Sequence, residues 1–272
     1  MGMKEYVLGT RDDELERLGL QHRLWAASAH RIWEDAGFRR GMRLLDVGCG
    51  PGYATAELAQ VVTHDGHVTG VDESARFLDR ARTSCAARGI GHVTFLKGDV
   101  HDLDDLEEGS FDGAYCRWVL CFVSDPVAVL RRVRSLLKPG GRFAIQDYFN
   151  YEVMTLAPRR PEMDLVAKAA GRSFRDRGGD QDVMGRILPM AREAGFEVHT
   201  LRVNQRIARP TDTLWAWPDS FWRIFAPKLR DDGYLTDTQL HDFFAMWEEV
   251  SASPDTFMVM PTVFDFIGVR RG

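Results

Sequence analysis

Between residues 43 and 147, short apolar runs alternate with segments whose apolar positions recur at helical spacing. Arg43–Val47, His67–Val71, Val93–Leu96, a run within Phe111–Leu120, and Arg142–Asp147 read as strands. The segments between them, Ala54–Val62, Ser74 to about Ala87 and Pro126–Leu137, read as helices. The strand runs lack polar alternation, as expected for strands buried on both faces and joined by crossover helices. Ser124 or Asp125 supplies an N-cap, and Pro126, which lacks an N–H, suits the first helical position. Residues 11–36 form a further predicted helix, with Leu15, Leu18, Trp25, Ala29, Ile32 and Trp33 near one face.

Beyond Tyr148 the alternation breaks. A Pro-flanked helix lies within 150–180, a helix covers Asp182–Ala194 and ends at Gly195, and Glu197–Ile207 is a sixth strand. Residues 211–252 are helical and aromatic-rich. Thr256–Arg270 is a seventh strand, which Pro261 assigns to a sheet edge or a bulge. The predicted fold is therefore α/β, a Rossmann-like seven-stranded sheet, mostly parallel, with helices on both faces. Residues 1–40 are expected to form an N-terminal helical lid, and residues 41–272 a core with cap insertions at about 150–180 and 211–252.

Composition narrows the function classes. The net charge of −5, without a long block of either sign, gives no electrostatic footprint for nucleic acid or an anionic membrane. No apolar run approaches the length of a membrane span. Cys49, Cys85, Cys116 and Cys121 lack CxxC spacing and a partner histidine pattern, so no metal site is expected and the thiols read as reduced, cytoplasmic ones.

The first strand ends in LLDVGCGPG, residues 44–52. Gly48, Gly50 and Gly52 occupy the strand-to-helix turn, where a parallel sheet presents backbone amides to ligands. The dinucleotide spacing GxGxxG fails, because Tyr53 stands at its last position. Asp46 would repel a pyrophosphate, and no lysine or arginine occupies the turn to offset it. A ligand with positive charge near the glycines and a ribose diol fits better. Asp72, at the tip of the second strand in GVDES, is placed to accept from that diol. S-adenosylmethionine has a sulfonium, an ammonium and no phosphate.

The succession LDVGCGPG, GVDES, LKGDV and LLKPGG, at these intervals, resembles the class I S-adenosylmethionine-dependent methyltransferase family, in particular its quinone and natural-product branch. The resemblance is strong over roughly residues 40–150. It implies an antiparallel last strand and S-adenosylmethionine lying across the tips of strands one to four. It also implies that Gly48, Cys49, Gly50 and Gly52 border the methionine moiety, with Asp46 beneath, and that Asp72 and Glu73 serve the ribose. Asp99 and Val100 then meet the adenine, Phe77 packs on it or in its own helix core, and Arg117 and Trp118 lie near the methionine portion, Arg117 through its carbonyl. After the fourth strand the chain reads CRWVLCFVSDP, without the (D/N/S)PP(Y/F/W) stretch of amino-methylating DNA enzymes. Nucleic acid is therefore not an expected substrate.

Methyl transfer needs orientation and exclusion of water more than acid–base chemistry. Tyr6, Gln21, His22 and Arg23 are lid candidates, Arg23 as a clasp for the methionine carboxylate. Candidate bases are Asp147, Tyr148, His101 and His241. Trp215, Trp217, Phe221, Trp222, Phe225, Phe243, Phe244 and Trp247 line an apolar acceptor pocket, an aromatic box, or the core of a cap. The expected function is methyl transfer to O, N, C or S of a small aromatic or apolar secondary metabolite, by a monomer or homodimer. The alternatives are a cofactor-binding regulatory protein without turnover and a protein methyltransferase.

Overall fold

The computed structural model describes residues 12–272. Its main sheet contains β1 (Arg43–Val47), β2 (His67–Asp72), β3 (Val93–Lys97), β4 (Phe111–Arg117), β5 (Leu137–Tyr148), β7 (Phe196–Asn204) and β10 (Val263–Arg270). Their spatial order is β3-β2-β1-β4-β5-β10-β7. Three short strands, β6 (Thr155–Ala157), β8 (Ile207–Ala208) and β9 (Phe257–Val259), form a second sheet in the order β6-β9-β8. β10 runs antiparallel to both β5 and β7, while β1 to β5 pair parallel.

The helices are α1 (Asp12–Asp35), α2 (Tyr53–Val62), α3 (Ala75–Ala87), α4 (Pro126–Leu136), α5 (Pro161–Asp176), α6 (Ile187–Glu193), α7 (Ala216–Asp231) and α8 (Asp237–Ala252). One face of the sheet buries Leu44, Val68, Tyr115, Ala144 and Ile267 beneath α2 and the C-terminal half of α1. The opposite face buries Leu45, Val47, Ala114, Phe143 and Ile145 against α4 and α6, in a core that continues into α5, α7 and α8. This two-sided burial explains the unbroken apolar runs of the strands. Local chemistry sets several boundaries. The Ser74 side chain accepts from Phe77 N to open α3, and Asp125 accepts from Ala128 N to open α4, with Pro126 in its first turn. A reciprocal Thr236–Gln239 capping box opens α8.

Three expectations need correction. The seventh strand is not an edge: β10 lies between β5 and β7, and β7 is the edge. Pro261 interrupts the predicted 256–270 run instead, leaving β9 in the small sheet and β10 in the large one, with a register shift between Ile267 and Gly268. The 182–194 helix is split into a 3-10 turn at Val183–Arg186 and the short α6. The small sheet itself was not expected: β8 is split from the predicted 197–207 strand and β9 from the 256–270 strand, and β6, three residues long, is too short for periodicity to register. β6 lies within the first insertion while β8 and β9 flank the second, so the small sheet ties the two insertions together beside the layer of α5, α7 and α8.

Candidate functional site: the carboxyl ends of the strands

At the end of β1, Asp46 is 2% exposed and accepts a 2.6 Å hydrogen bond from Thr55 Oγ1 on α2. Burial pushes its carboxyl up to about 6, opposed by Thr55 and by the charge of Arg117. Asp46 thus lies under the glycine turn rather than in the open. Cys49 is buried beside it, and burial with the neighbouring Asp46 drives its thiol far above the usual range.

The glycines of the turn serve different ends. Gly52 caps α2 at φ 76°, and a Cβ there would stand 2.6 Å from Ala81 Cβ, so it permits α2 and α3 to close together. Gly50, at φ +53°, has nothing within 4 Å of where a Cβ would lie. Its amide donates 2.8 Å to Asp72 Oδ2, while Asp72 Oδ1 accepts from Ser74 N at 2.9 Å. The turn therefore presents bare backbone beside a carboxylate that desolvation raises above its ordinary range.

Asp72 stands with Glu73, Asp99 and His101 at the tips of β2 and β3. The Glu73 carboxyl is raised by burial first and then by the charges of Asp99 and Asp72. Asp99 Oδ1 accepts from His101 N at 2.8 Å and pairs with His101 Nδ1 at 2.6 Å. These bonds outweigh partial burial and lower the Asp99 carboxyl. Val100 and Phe77 are buried, Phe77 within the first turn of α3. His101 thus pairs with Asp99 through Nδ1, beside the tip of β3, while its Nε2 has no partner.

At the tip of β4 the side chain of Arg117, not its carbonyl alone, is engaged. Arg117 Nη2 donates 2.9 Å to His22 Nδ1, and His22 Nε2 lies 3.0 Å from Glu57 Oε1. Arginine only donates, so His22 Nδ1 is unprotonated and the ring proton sits on Nε2, on the side of the Glu57 carboxylate. Glu57 also takes His30 at 2.8 Å, and these two histidines hold its carboxyl down to about 2 against the opposing effect of burial. The chain Arg117–His22–Glu57–His30 ties α1 to β4 and α2. Arg117 Nη1 is buried with no hydrogen-bond partner, and the guanidinium stacks on Trp118 at 4.9 Å.

Trp118, at φ 53°, turns its ring into an aromatic cluster. It stacks on Tyr148 and Trp217 at 5.9 and 5.8 Å and meets Trp25 edge-on at 5.5 Å. Tyr148 meets Tyr151 edge-on at 5.1 Å. Burial pushes the Tyr148 phenol well above its ordinary range, so it is a proton donor at neutral pH. Beside this cluster α1 buries Glu14, Arg17 and Gln21. Arg17 Nη1 and Trp217 Nε1 both donate to Gln21 Oε1, at 2.7 and 2.8 Å, which joins α1 to α7.

Several candidates are placed differently from expectation. Asp147 is fully buried, and its oxygens accept from the backbone amides of Val119, Cys121 and Tyr148 at 2.9–3.2 Å. It fixes the loop after β4 and is sealed from solvent, although burial raises its carboxyl to about 6. His241 is on an exposed face of α8, and Arg23 is exposed on α1, one position and about 100° round the helix from His22. Tyr6 lies outside the described residues. Of the cap aromatics, Trp222, Phe225, Phe243 and Trp247 are fully buried in the core of their own layer, and Trp217 alone among the eight meets Trp118 and Trp25. Glu14, Arg17 and Glu57, which the sequence reading did not single out, lie in this network. Polar residues at 14, 17 and 21 share one helical face by their i, i+3, i+7 spacing, and that was the available signal.

The described residues fit S-adenosylmethionine in charge and shape. Gly50 leaves open the space a Cβ would fill, Asp72 offers a carboxylate for a diol, and the orphaned Arg117 Nη1 offers a buried donor for a carboxylate. Among the described residues, no group of His, Cys, Asp and Glu is arranged to hold a metal, and no helix is long and apolar enough to cross a membrane.

Comparison with known proteins agrees with this geometry. A family model described as a methyltransferase domain matches residues 38–180. An O-methyltransferase of Aspergillus nomiae is 37% identical over 127 residues, 45% of this chain and 55% of that protein. A demethylmenaquinone methyltransferase of Staphylococcus aureus (strain MRSA252) is 36% identical over 121 residues, 44% of this chain and 48% of that protein. The chain spans about half the length of the curated relatives it matches. The crystal structure of the cyclase SpnF superposes with a TM-score of 0.57 at 20% identity, covering 90% of this chain and 81% of that one. That likeness carries the fold alone, and that protein is a [4+2]-cyclase.

Proposed function

Since the chain belongs to the methyltransferase-domain family, whose model spans more than half of it, we propose that it transfers a methyl group from S-adenosylmethionine to a small aromatic or apolar acceptor. The observation that carries this reading is the bare Gly50 backbone set between the Asp72 carboxylate and the partnerless Arg117 Nη1. When bound, S-adenosylmethionine supplies a methyl already activated by its sulfonium.

Asp72 holds the ribose hydroxyls, Asp99 the adenine edge, and Arg117 the methionine carboxylate. Asp46 keeps the local potential negative beneath the turn, which favours a cation and disfavours pyrophosphate. The acceptor lies at the border of the Trp118, Tyr148 and Trp217 cluster, whose apolar surface excludes water. The Tyr148 hydroxyl donates a hydrogen bond to the acceptor and does not take its proton. The network of Glu14, Arg17 and Gln21 makes α1 a lid over this cluster. The acceptor therefore arrives with its nucleophilic lone pair available, and the protein contributes position.

Titration calorimetry tests the reading directly. Saturable heat with S-adenosylmethionine and none with a nicotinamide dinucleotide is the expected result; the reverse pattern would overturn it. Formation of S-adenosylhomocysteine across a panel of hydroxylated aromatics then identifies the acceptor class.

A further inference from the structure

Behind α1, at the carboxyl end of β7, a groove of about 380 Å³ opens between the Leu24–Arg31 stretch of the helix and residues 202–206. Its size suits a small organic ligand. None of the groups assigned to the cofactor or acceptor above lines it. Trp25 forms part of the wall, with Arg206 stacked 5.1 Å over its ring, and the same indole packs edge-on against Trp118 and Trp217. The groove is thus next to the aromatic cluster and separated from it by Trp25.

Its electrostatics are unbalanced. Arg202 is matched by Asp265 and Asp35, at 2.9 and 2.8 Å. Arg31 and Arg206 also line the groove, and neither has a carboxylate within ion-pair distance among the described residues. Arg31 donates 2.5 Å to the side-chain oxygen of Asn204, and Arg206 donates 2.7 Å to the carbonyl of Leu24, both neutral acceptors. Partial burial lowers the Arg206 guanidinium from its ordinary range, with no counter-charge opposing it. The Trp25 indole N–H is likewise buried without a partner. Two arginines with spare donors beside an aromatic face select an oxyanion on an organic body, since guanidinium matches carboxylate and phosphate geometry.

We propose that this groove is a second binding site, for a small molecule whose carboxylate or phosphate group pairs with Arg31 and Arg206 while its apolar part lies against Trp25. The site is distinct from the cofactor cleft and does not depend on the methyl-transfer reading.

Calorimetry with inorganic phosphate and with benzoate, at constant ionic strength, tests it. Saturable binding of phosphate, benzoate or both is expected, and the pattern tells which oxyanion the groove prefers. Arg206→Gln and Arg31→Gln should each weaken that binding about tenfold, the loss of charged hydrogen bonds. Ala27→Glu serves as a second variant: it removes no arginine and adds a carboxylate from an exposed groove-lining position, and it should abolish binding. Retained binding of S-adenosylmethionine by each variant verifies the fold. No saturable binding of either probe, or binding that all three variants leave unchanged, would overturn the proposal without touching the cofactor site.

Discussion

The guanidinium of Arg117 and the imidazole of His22 meet at 2.9 Å, and this contact couples the tip of β4 to the helix that covers it. His22 can receive that bond only while neutral. Burial, and then the Arg117 charge, lower its pKa below the ordinary 6.5. As pH falls through 6.5 the unfolded chain takes up the proton first, so the contribution of His22 to stability is lost on acidification and levels off below the folded pKa. Asp46 and Asp147, raised to about 6 from 3.8, act with the opposite sign between those values. The quantity to read is therefore the difference between the wild type and His22→Gln, which keeps an acceptor and a donor without titrating. Melting between about pH 7.5 and 5.5 should show the difference shift against the wild type as pH falls. A gap independent of pH would refute the assignment of His22 as neutral.

Asp72 accepts from the amides of Gly50 and Ser74, and in the proposed function it takes the ribose hydroxyls. Asp72→Asn should weaken S-adenosylmethionine binding by at least about tenfold, measured by calorimetry, because a charged acceptor is replaced by one that also presents a donor. Unaltered affinity would remove Asp72 from the site.

Gly50 and Gly52 separate binding from folding. Both have positive φ, so an alanine at either costs about 1 kcal/mol of backbone strain. Gly52→Ala adds the 2.6 Å overlap with Ala81 and should cost about 3 kcal/mol in denaturant unfolding. Gly50→Ala meets no protein atom, so it should melt near the wild type yet lose the cofactor.

Removing the Asp147 carboxylate leaves three buried backbone amides without a partner. Asp147→Ala should lower stability by about 3 kcal/mol or more. In Asp147→Asn, any remaining activity should keep the wild-type pH profile, as expected if Asp147 positions the loop and is not a base. A profile that loses its acid limb would restore Asp147 as a base.

Tyr148 is the side chain at the strand-five tip whose phenol remains protonated and faces the aromatic cluster. Tyr148→Phe should leave S-adenosylmethionine affinity intact and lower kcat/KM for the acceptor about tenfold. Equal losses in cofactor affinity would place the hydroxyl elsewhere.

The succession of the first five strands along the chain, the glycine turn and the acidic residues Asp72 and Asp99 could be read from the chain, because each depends on short-range pattern: two-sided burial, a helix cap, a positive-φ turn. The fate of individual side chains could not. Asp147 and Tyr148 are adjacent in sequence, yet one is consumed by backbone amides and the other borders the cleft, since successive residues of a strand point to opposite faces. Trp217 and Trp222 are neighbours on one helix; the first reaches Trp118 and the second stays in its own layer. His22, Glu57 and Arg117 are unremarkable singly, and their chain of contacts exists only once α1 is laid over α2 and β4. Local periodicity thus determined the scaffold and where it turns. Packing of distant segments decided which polar groups are satisfied internally and which are left facing a ligand, because that depends on partners far away along the chain.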